Sequence, residues 1–264
     1  MDTNRAYGVA PFRIALLHGG PGAAGEMRPV AEFLSKNPNV PGVLECLQTS
    51  KTIAGQLEEL HAQLVADASP PVTLVGFSWG AWLGCLFASR YPDLVRKLVL
   101  VSAGAFLKQY NRDLMPLRMQ RLSIPQRNEA GALIAELEGS KMDDAMLKRF
   151  GELMAIADSF EYDPRGGGTT CPNMDIYRSI WPEAVRLRDS GELLERVKSI
   201  QCAVVAMHGD HDSHPMRGVE EPLARTLANF RMIRLEKCGH TPWFEKYAGA
   251  RFYEALIEEL RHDR

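Results

Sequence analysis

A serine between two glycines, where an apolar run gives way to a helical one, constrains this chain more than any other feature. The segment is Gly76-Phe77-Ser78-Trp79-Gly80. Val72-Thr73-Leu74-Val75 precedes it and reads as a strand, and the stretch from Ala81 to Arg90 reads as a helix. A serine at a sharp strand-to-helix turn has its hydroxyl pushed clear of the backbone. Glycines two before and two after let strand and helix approach closely. The N–H of Trp79, at the helix start, is then placed to bind a developing oxyanion. Ordinary glycine and serine usage puts this pattern in roughly one chain in ten of such length. Its meaning therefore depends on what surrounds it.

Five apolar runs of strand length alternate with helical stretches, and a weaker sixth fits among them. The runs are Arg13–Leu17, Val43–Leu47 (the weak one), Val72–Phe77, Lys97–Ser102, Cys202–His208 and Arg231–Glu236. Their continuous apolarity suits strands buried on both faces of a parallel sheet. Between them Glu26–Lys36, Thr52–Ala68, Ala81–Tyr91 and Pro215–Asn229 are long enough for crossover helices, and Trp243–His262 reads as a closing helix. This order predicts an open α/β sheet of about six strands with right-handed crossovers.

Residues 103–201 break the rhythm. They read as helices near Leu114–Leu122, Arg127–Glu138, Asp143–Ser159 and Asp175–Arg188, without a convincing strand. The expected organisation is a core of 1–102 and 202–264 with a helical lid, 103–201, inserted after the fourth strand. With 14 basic and 15 acidic residues the insertion exerts no strong pull on a charged substrate. Six of the 11 methionines lie in it, which suits either a permissive apolar pocket or, the reading favoured, ordinary helix packing. Arg165-Gly166-Gly167-Gly168 reads as a flexible loop, not a phosphate cradle, because no strand precedes it and no lysine follows.

Composition excludes several function classes. A formal net charge of −2 gives no field for nucleic acid or an anionic membrane. No apolar run approaches a membrane span. The first residues lack the basic-then-apolar pattern of a secretory signal, and the five cysteines form no C-x-x-C pair. Reduced thiols in a cytoplasmic protein are the expectation.

A serine nucleophile needs a base, and the base an orienting acid. The ends of the strands supply candidates. His18-Gly19-Gly20-Pro21-Gly22 follows the first strand, His208-Gly209-Asp210-His211-Asp212-Ser213-His214-Pro215 the fifth, and Cys238-Gly239-His240-Thr241-Pro242-Trp243 the sixth. The chain order is serine, aspartate, histidine, with 28 residues from Asp212 to His240, room for one helix and one strand. Asp210 rivals Asp212 as the acid. The run from His208 to His214 has residue types that suit zinc, but one turn would have to supply several ligands, so no metal is expected. His211 and His214 read as surface or turn residues, Cys238 as a small buried residue, and Trp82 as packing on the sheet. Gly19, Trp79, Trp181 and Trp243 are candidate pocket walls.

With these motifs the chain resembles an α/β-hydrolase over nearly its whole length. His18–Gly22, Gly76–Gly80 and Gly239-His240-Thr241-Pro242 are similar to the proline-iminopeptidase-like branch. The resemblance implies Ser78 as nucleophile, His240 as general base, and Asp212, third after the glycine of a G-x-x-D turn, as acid. It places the oxyanion hole at the N–H groups of Gly20 and Trp79, with Gly19 as a near neighbour, and makes His18 a loop-holding residue. Two departures stand out. The family's two strands before the glycine-rich loop are expected to be missing. The branch's D-Q-R-G-x-G-x-S segment is replaced by Leu44-Glu45-Cys46-Leu47-Gln48-Thr49-Ser50. The expected function is a cofactor-free serine hydrolase of esterase or amidase type, acting on a small acyl substrate. The alternatives are an aminopeptidase releasing N-terminal proline, with Glu152, Glu161, Asp163 or Glu183 reading the amine, and a non-catalytic small-molecule receptor.

Overall fold

The structure is a computed structural model that describes residues 3–139, 141–162 and 170–261. In chain order the strands are β1 (Asn4–Tyr7), β2 (Phe12–Leu17), β3 (Ala23–Ala24), β4 (Gly42–Cys46), β5 (Val72–Phe77), β6 (Val95–Val101), β7 (Cys171–Pro172), β8 (Ala203–Gly209) and β9 (Phe230–Leu235). The helices are α1 (Arg28–Leu34), α2 (Ile53–Asp67), α3 (Trp79–Arg90), α4 (Leu114–Arg121), α5 (Ile124–Glu138), α6 (Asp144–Asp158), α7 (Met174–Asp189), α8 (Glu192–Val197), α9 (Arg217–Thr226) and α10 (Gly249–Arg261).

Seven strands form one sheet in the order β1-β4-β2-β5-β6-β8-β9, parallel except for β1. Its middle strand β5 is buried along its whole length. Side chains alternate across it, so Leu74 packs into one apolar layer and Val75 and Phe77 into the other. The first layer is closed by α2, α3, α8 and α9, through residues such as Leu60, Leu86, Leu193 and Leu223. The second is closed by α1 and α10, through Leu34, Phe252 and Leu256.

The seventh strand corrects the expected count of about six. Asn4-Arg5-Ala6-Tyr7 pairs antiparallel with β4, Asn4 opposite Cys46 and Tyr7 opposite Val43. An edge strand that stays half exposed carries no apolar run to detect. It does chemical work for its neighbour. Glu45, fully buried in β4, is met by Arg5 at 3.3 Å and by the Tyr7 hydroxyl at 3.0 Å.

Between β6 and β8 the chain runs through α4 to α8. The short α8 and the two-residue β7 are additions to the expected elements. Strand β7 pairs with β3, which ties this segment to the glycine-rich loop. A separate apolar cluster of Leu122, Ala130, Leu153, Met154 and Ala157 holds α4, α5 and α6 together, with Met115 and Met119 against it. Most of the methionines here are packing material. The closing helix starts at Gly249, not Trp243, because Pro242–Phe244 forms a separate 3-10 turn. Arg165–Gly168 and Asp163 lie outside the described residues. Among the described residues no helix is long and apolar enough to cross a membrane.

Candidate active site

Ser78 joins β5 to α3 with φ 51° and ψ −113°, a conformation that costs a non-glycine residue about 1–3 kcal/mol. Its N–H is held by the Val101 carbonyl at 3.0 Å. The flanking glycines explain themselves by contact. A Cβ on Gly76 would stand 2.3 Å from the Gly80 carbonyl oxygen, and a Cβ on Gly80 would stand 2.3 Å from that of Leu17. Only hydrogen side chains let β5, α3 and the end of β2 meet this closely.

The loops after β8 and β9 bring Asp212 and His240 together. His240 Nδ1 donates to Asp212 Oδ2 at 2.7 Å. Among the described residues the Asp210 side chain makes only long contacts, to Arg234 at 3.5 Å and to the Cys238 N–H at 3.4 Å, and Asp212 is the one that meets His240. Burial raises the Asp212 pKa, but His240 and His214 override it and hold the carboxyl well below the usual range. Burial lowers that of His240, and the Asp212 carboxylate more than offsets this, raising it above the ordinary value. Ser78 and His240 line one cavity of about 650 Å³. No hydrogen bond joins their side chains among the described residues, and such contacts commonly tighten only when substrate binds.

Gly20 and Trp79 also line this cavity, and among the described residues neither backbone N–H has a partner. That leaves two donors free beside Ser78, as an oxyanion hole requires. Gly19 lies behind them. Its N–H is taken by Glu26 Oε2 at 2.9 Å, and a Cβ there would stand 3.1 Å from Ser78 Cβ. It is a close-packing position beneath Ser78, not a pocket wall. His18 holds the loop: its Nδ1 donates to the Gly19 carbonyl and its Nε2 accepts the Gln48 N–H. Burial lowers its pKa to about 4, so it stays neutral. Gln48 in turn accepts the Trp79 indole N–H at 2.9 Å.

Of the tryptophans, Trp181 lines the cavity and stacks parallel to Trp82, with ring centres 6.3 Å apart. Trp82 lines it too, besides packing on the sheet. Trp243 does not. It is buried below His240 against Phe77 and Phe252, because the 3-10 turn points it into the core. Among the aminopeptidase carboxylates, only Glu152 of the described three reaches the cavity, and Arg149 pairs with it at 3.1 Å. Glu161 is held by Lys246, and Glu183 caps the Ile53 N–H.

Several residues of the site were not visible in the sequence. His214, expected at the surface or in a turn, is nearly buried. Its Nδ1 donates to Asp212 Oδ1 at 3.0 Å, and its ring stacks on that of His240 at 4.3 Å. Burial, then the charges of His240 and Arg118, lower its pKa to about 4, so it donates as a neutral ring. Arg118 of α4 forms a two-pronged, nearly buried ion pair with Asp158 of α6. The Asp158 carbonyl accepts the His240 N–H at 3.0 Å. Arg121 donates to the His211 carbonyl and to Ser213 Oγ, both at 2.8 Å. The buried Glu245 takes the N–H groups of Gly239, Phe160 and Glu161. Asp212, His214 and His240 offer ligand atoms within 4.8 Å of one another. Both imidazole Nδ1–H groups there already donate to the carboxylate, which fits a hydrogen-bonded relay better than a cation.

Comparison with known proteins agrees with this architecture. The chain is 23% identical to monoacylglycerol lipase ABHD6 of Homo sapiens, over 88% of this chain and 71% of that one. Among solved structures it is similar to VinJ, with a TM-score of 0.72 and 23% identity over 98% of this chain and 94% of that one. It is also similar to the proline iminopeptidase of Mycobacterium smegmatis, with a TM-score of 0.64 and 16% identity over 98% and 94%. At these identities the structural likeness concerns the fold. A family profile described as "Alpha/beta hydrolase family" matches residues 14–255, so the chain belongs to the alpha/beta hydrolase family.

Proposed function

We propose that this protein is a serine hydrolase that cleaves a small ester or amide through an acyl-enzyme. The observation that carries this reading is one cavity lined by Ser78 on its strained turn, by His240, which is backed by Asp212 at 2.7 Å, and by two residues with free N–H groups, Gly20 and Trp79. In the reaction His240 Nε2 takes the Ser78 proton as Oγ attacks the carbonyl carbon. Asp212 fixes the Nδ1–H tautomer and stabilises the imidazolium. The Gly20 and Trp79 N–H groups bind the oxyanion, each donor worth about 3–4 kcal/mol in comparable sites. The imidazolium returns its proton to the leaving group, and a water deprotonated by His240 then releases the acid.

The segment 103–201 acts in this reading as the lid that selects the substrate. Its α4, α6 and α7 supply Leu114, Phe150, Met154, Tyr177 and Trp181 to the cavity wall, an apolar and aromatic set suited to an acyl chain. The relative named a monoacylglycerol lipase agrees with ester cleavage. Aminopeptidase action has less support, because Glu152 is already paired.

Two measurements test the proposal. Ser78→Ala should lower turnover of p-nitrophenyl esters by on the order of 10³-fold or more while far-UV circular dichroism stays unchanged. A fluorophosphonate should add covalently to Ser78. Retained turnover, or labelling elsewhere, overturns it. A panel of esters of graded chain length, beside prolyl and alanyl arylamides, assigns the acyl preference.

A further inference from the structure

One carboxyl in the cavity wall has no part in the triad. Glu26 lies between β3 and α1, just after the glycine-rich loop, and faces the space that Ser78 and His240 share. Its Oε2 accepts the Gly19 N–H at 2.9 Å. A Cβ on Gly19 would stand 2.7 Å from that oxygen and 3.1 Å from Ser78 Cβ, so carboxyl and nucleophile flank the same glycine. The next residue is Gly20, whose N–H is free for the oxyanion. The second oxygen of Glu26 has no hydrogen-bond partner among the described residues and is not sealed from the cavity.

The charges around Glu26 leave it without a counter-ion. His18, in the loop it braces, is neutral. His240 faces it from the loop after β9, but that ring is bound to Asp212. Across the cavity, Arg118 of α4 is taken by Asp158, and Arg149 of α6 is shared by Glu129 and Glu152. Lys148 of α6, Tyr177 of α7, Tyr162 and the neutral His214 complete the titratable groups that line the cavity. A carboxylate here would set a second negative charge beside the developing oxyanion. A neutral acid does the reverse. Its C=O keeps the Gly19 N–H, and its O–H is free to donate into the cavity.

We propose that Glu26 is a positioning residue of the oxyanion loop that works as the neutral acid: it holds Gly19 and Gly20 in place and donates into the cavity, and its carboxylate opposes the reaction. The inference rests on the serine-hydrolase reading. Burial supports it by pushing the carboxyl up to about 7, against the pull of the His240 charge and the Gly19 N–H. Acid and carboxylate then exchange near neutral pH. No proton is consumed, since Glu26 keeps its own through the cycle.

The test is the pH dependence of kcat/KM for an activated ester in wild type, Glu26→Gln and Glu26→Ala. In wild type the rate rises as His240 loses its proton and falls again as Glu26 loses its own above about pH 7. Glutamine keeps an acceptor for Gly19 and a donor to the cavity but cannot ionise. In Glu26→Gln the ratio of kcat/KM at pH 8.5 to that at pH 6.5 should rise about fivefold or more over wild type. Glu26→Ala should lower kcat about tenfold with little change in KM, through loss of one support of the oxyanion loop. A Glu26→Gln profile of wild-type shape overturns the proposal. So does a preference for cationic acyl groups that vanishes in Glu26→Gln, which would make Glu26 a counter-ion. The rate of fluorophosphonate addition to Ser78 in wild type needs no variant: a fall from pH 7 to pH 9 supports the proposal, and a continued rise overturns it. Absence of any addition at Ser78 would instead remove the underlying reading.

Discussion

At the scale of the residue, one carboxylate hydrogen-bonds two imidazoles, with His208 Nε2 a further 3.4 Å from its Oδ2. Asp212 gives Oδ2 to His240 and Oδ1 to His214, and the two rings stack. The outcomes are opposite: His240 is held above its ordinary pKa and His214 is lowered to about 4. His214 therefore draws negative charge from Asp212 without competing for a proton at neutral pH. His214→Phe keeps the stack and removes the Nδ1–H. Asp212 then holds the His240 imidazolium more tightly, so the acid limb of kcat/KM should move to higher pH, by a few tenths to about one unit. An unmoved limb would reduce His214 to packing. The placement of Ser78, Asp212 and His240 at one end of the sheet was legible in the sequence because each sits just past a strand, at a spacing that strands and helices enforce. His214 was not. Five of the seven residues from His208 to His214 are histidine or aspartate, and local pattern cannot say which of them the fold will bury.

At the scale of the element, the site depends on how closely β5, α3 and the end of β2 approach. Gly80→Ala would press a methyl onto the Leu17 carbonyl at 2.3 Å, and backbone cannot rotate aside as a side chain can. The expected cost is about 1–3 kcal/mol in urea unfolding, with loss of ester turnover because Ser78 and the glycine-rich loop move apart. A variant of full stability and activity would show that the turn tolerates more than these contacts allow. The helices of 103–201 were legible as helices, but their attachment to the site was not. Arg118 and Asp158 lie 40 residues apart on different helices, and no periodicity links them. Strand β1 was missed for the complementary reason. Its value lies in Arg5 and Tyr7 reaching the buried Glu45, which an apolar pattern cannot record.

At the scale of the whole molecule, the buried titratable groups at one end of the sheet make stability depend on pH in opposing ways. His18 and His214 have folded pKa values of about 4 against about 6.5 unfolded. Their contribution is complete above the unfolded value and is lost as pH falls from 6.5 toward 4. Asp212 and Asp158, both lowered, contribute above the ordinary carboxylate range and fail last, as pH drops through their folded values. Glu26 runs the other way. Its folded pKa of about 7 exceeds the unfolded value of about 4.3, so its burial costs nothing at acid pH and its full amount above pH 7. Glu26→Gln removes an ionisable group whose charged form the site disfavours. It should raise unfolding free energy by about 2 kcal/mol at pH 8 and by little at pH 4.5. Urea unfolding at the two pH values measures this. An equal gain at both would assign the effect to the Gly19 contact and not to charge. A gain confined to pH 8 would mean that the chain keeps a destabilising carboxyl beside Ser78. Retention at that cost is what a group serving the reaction, and not the fold, leads one to expect.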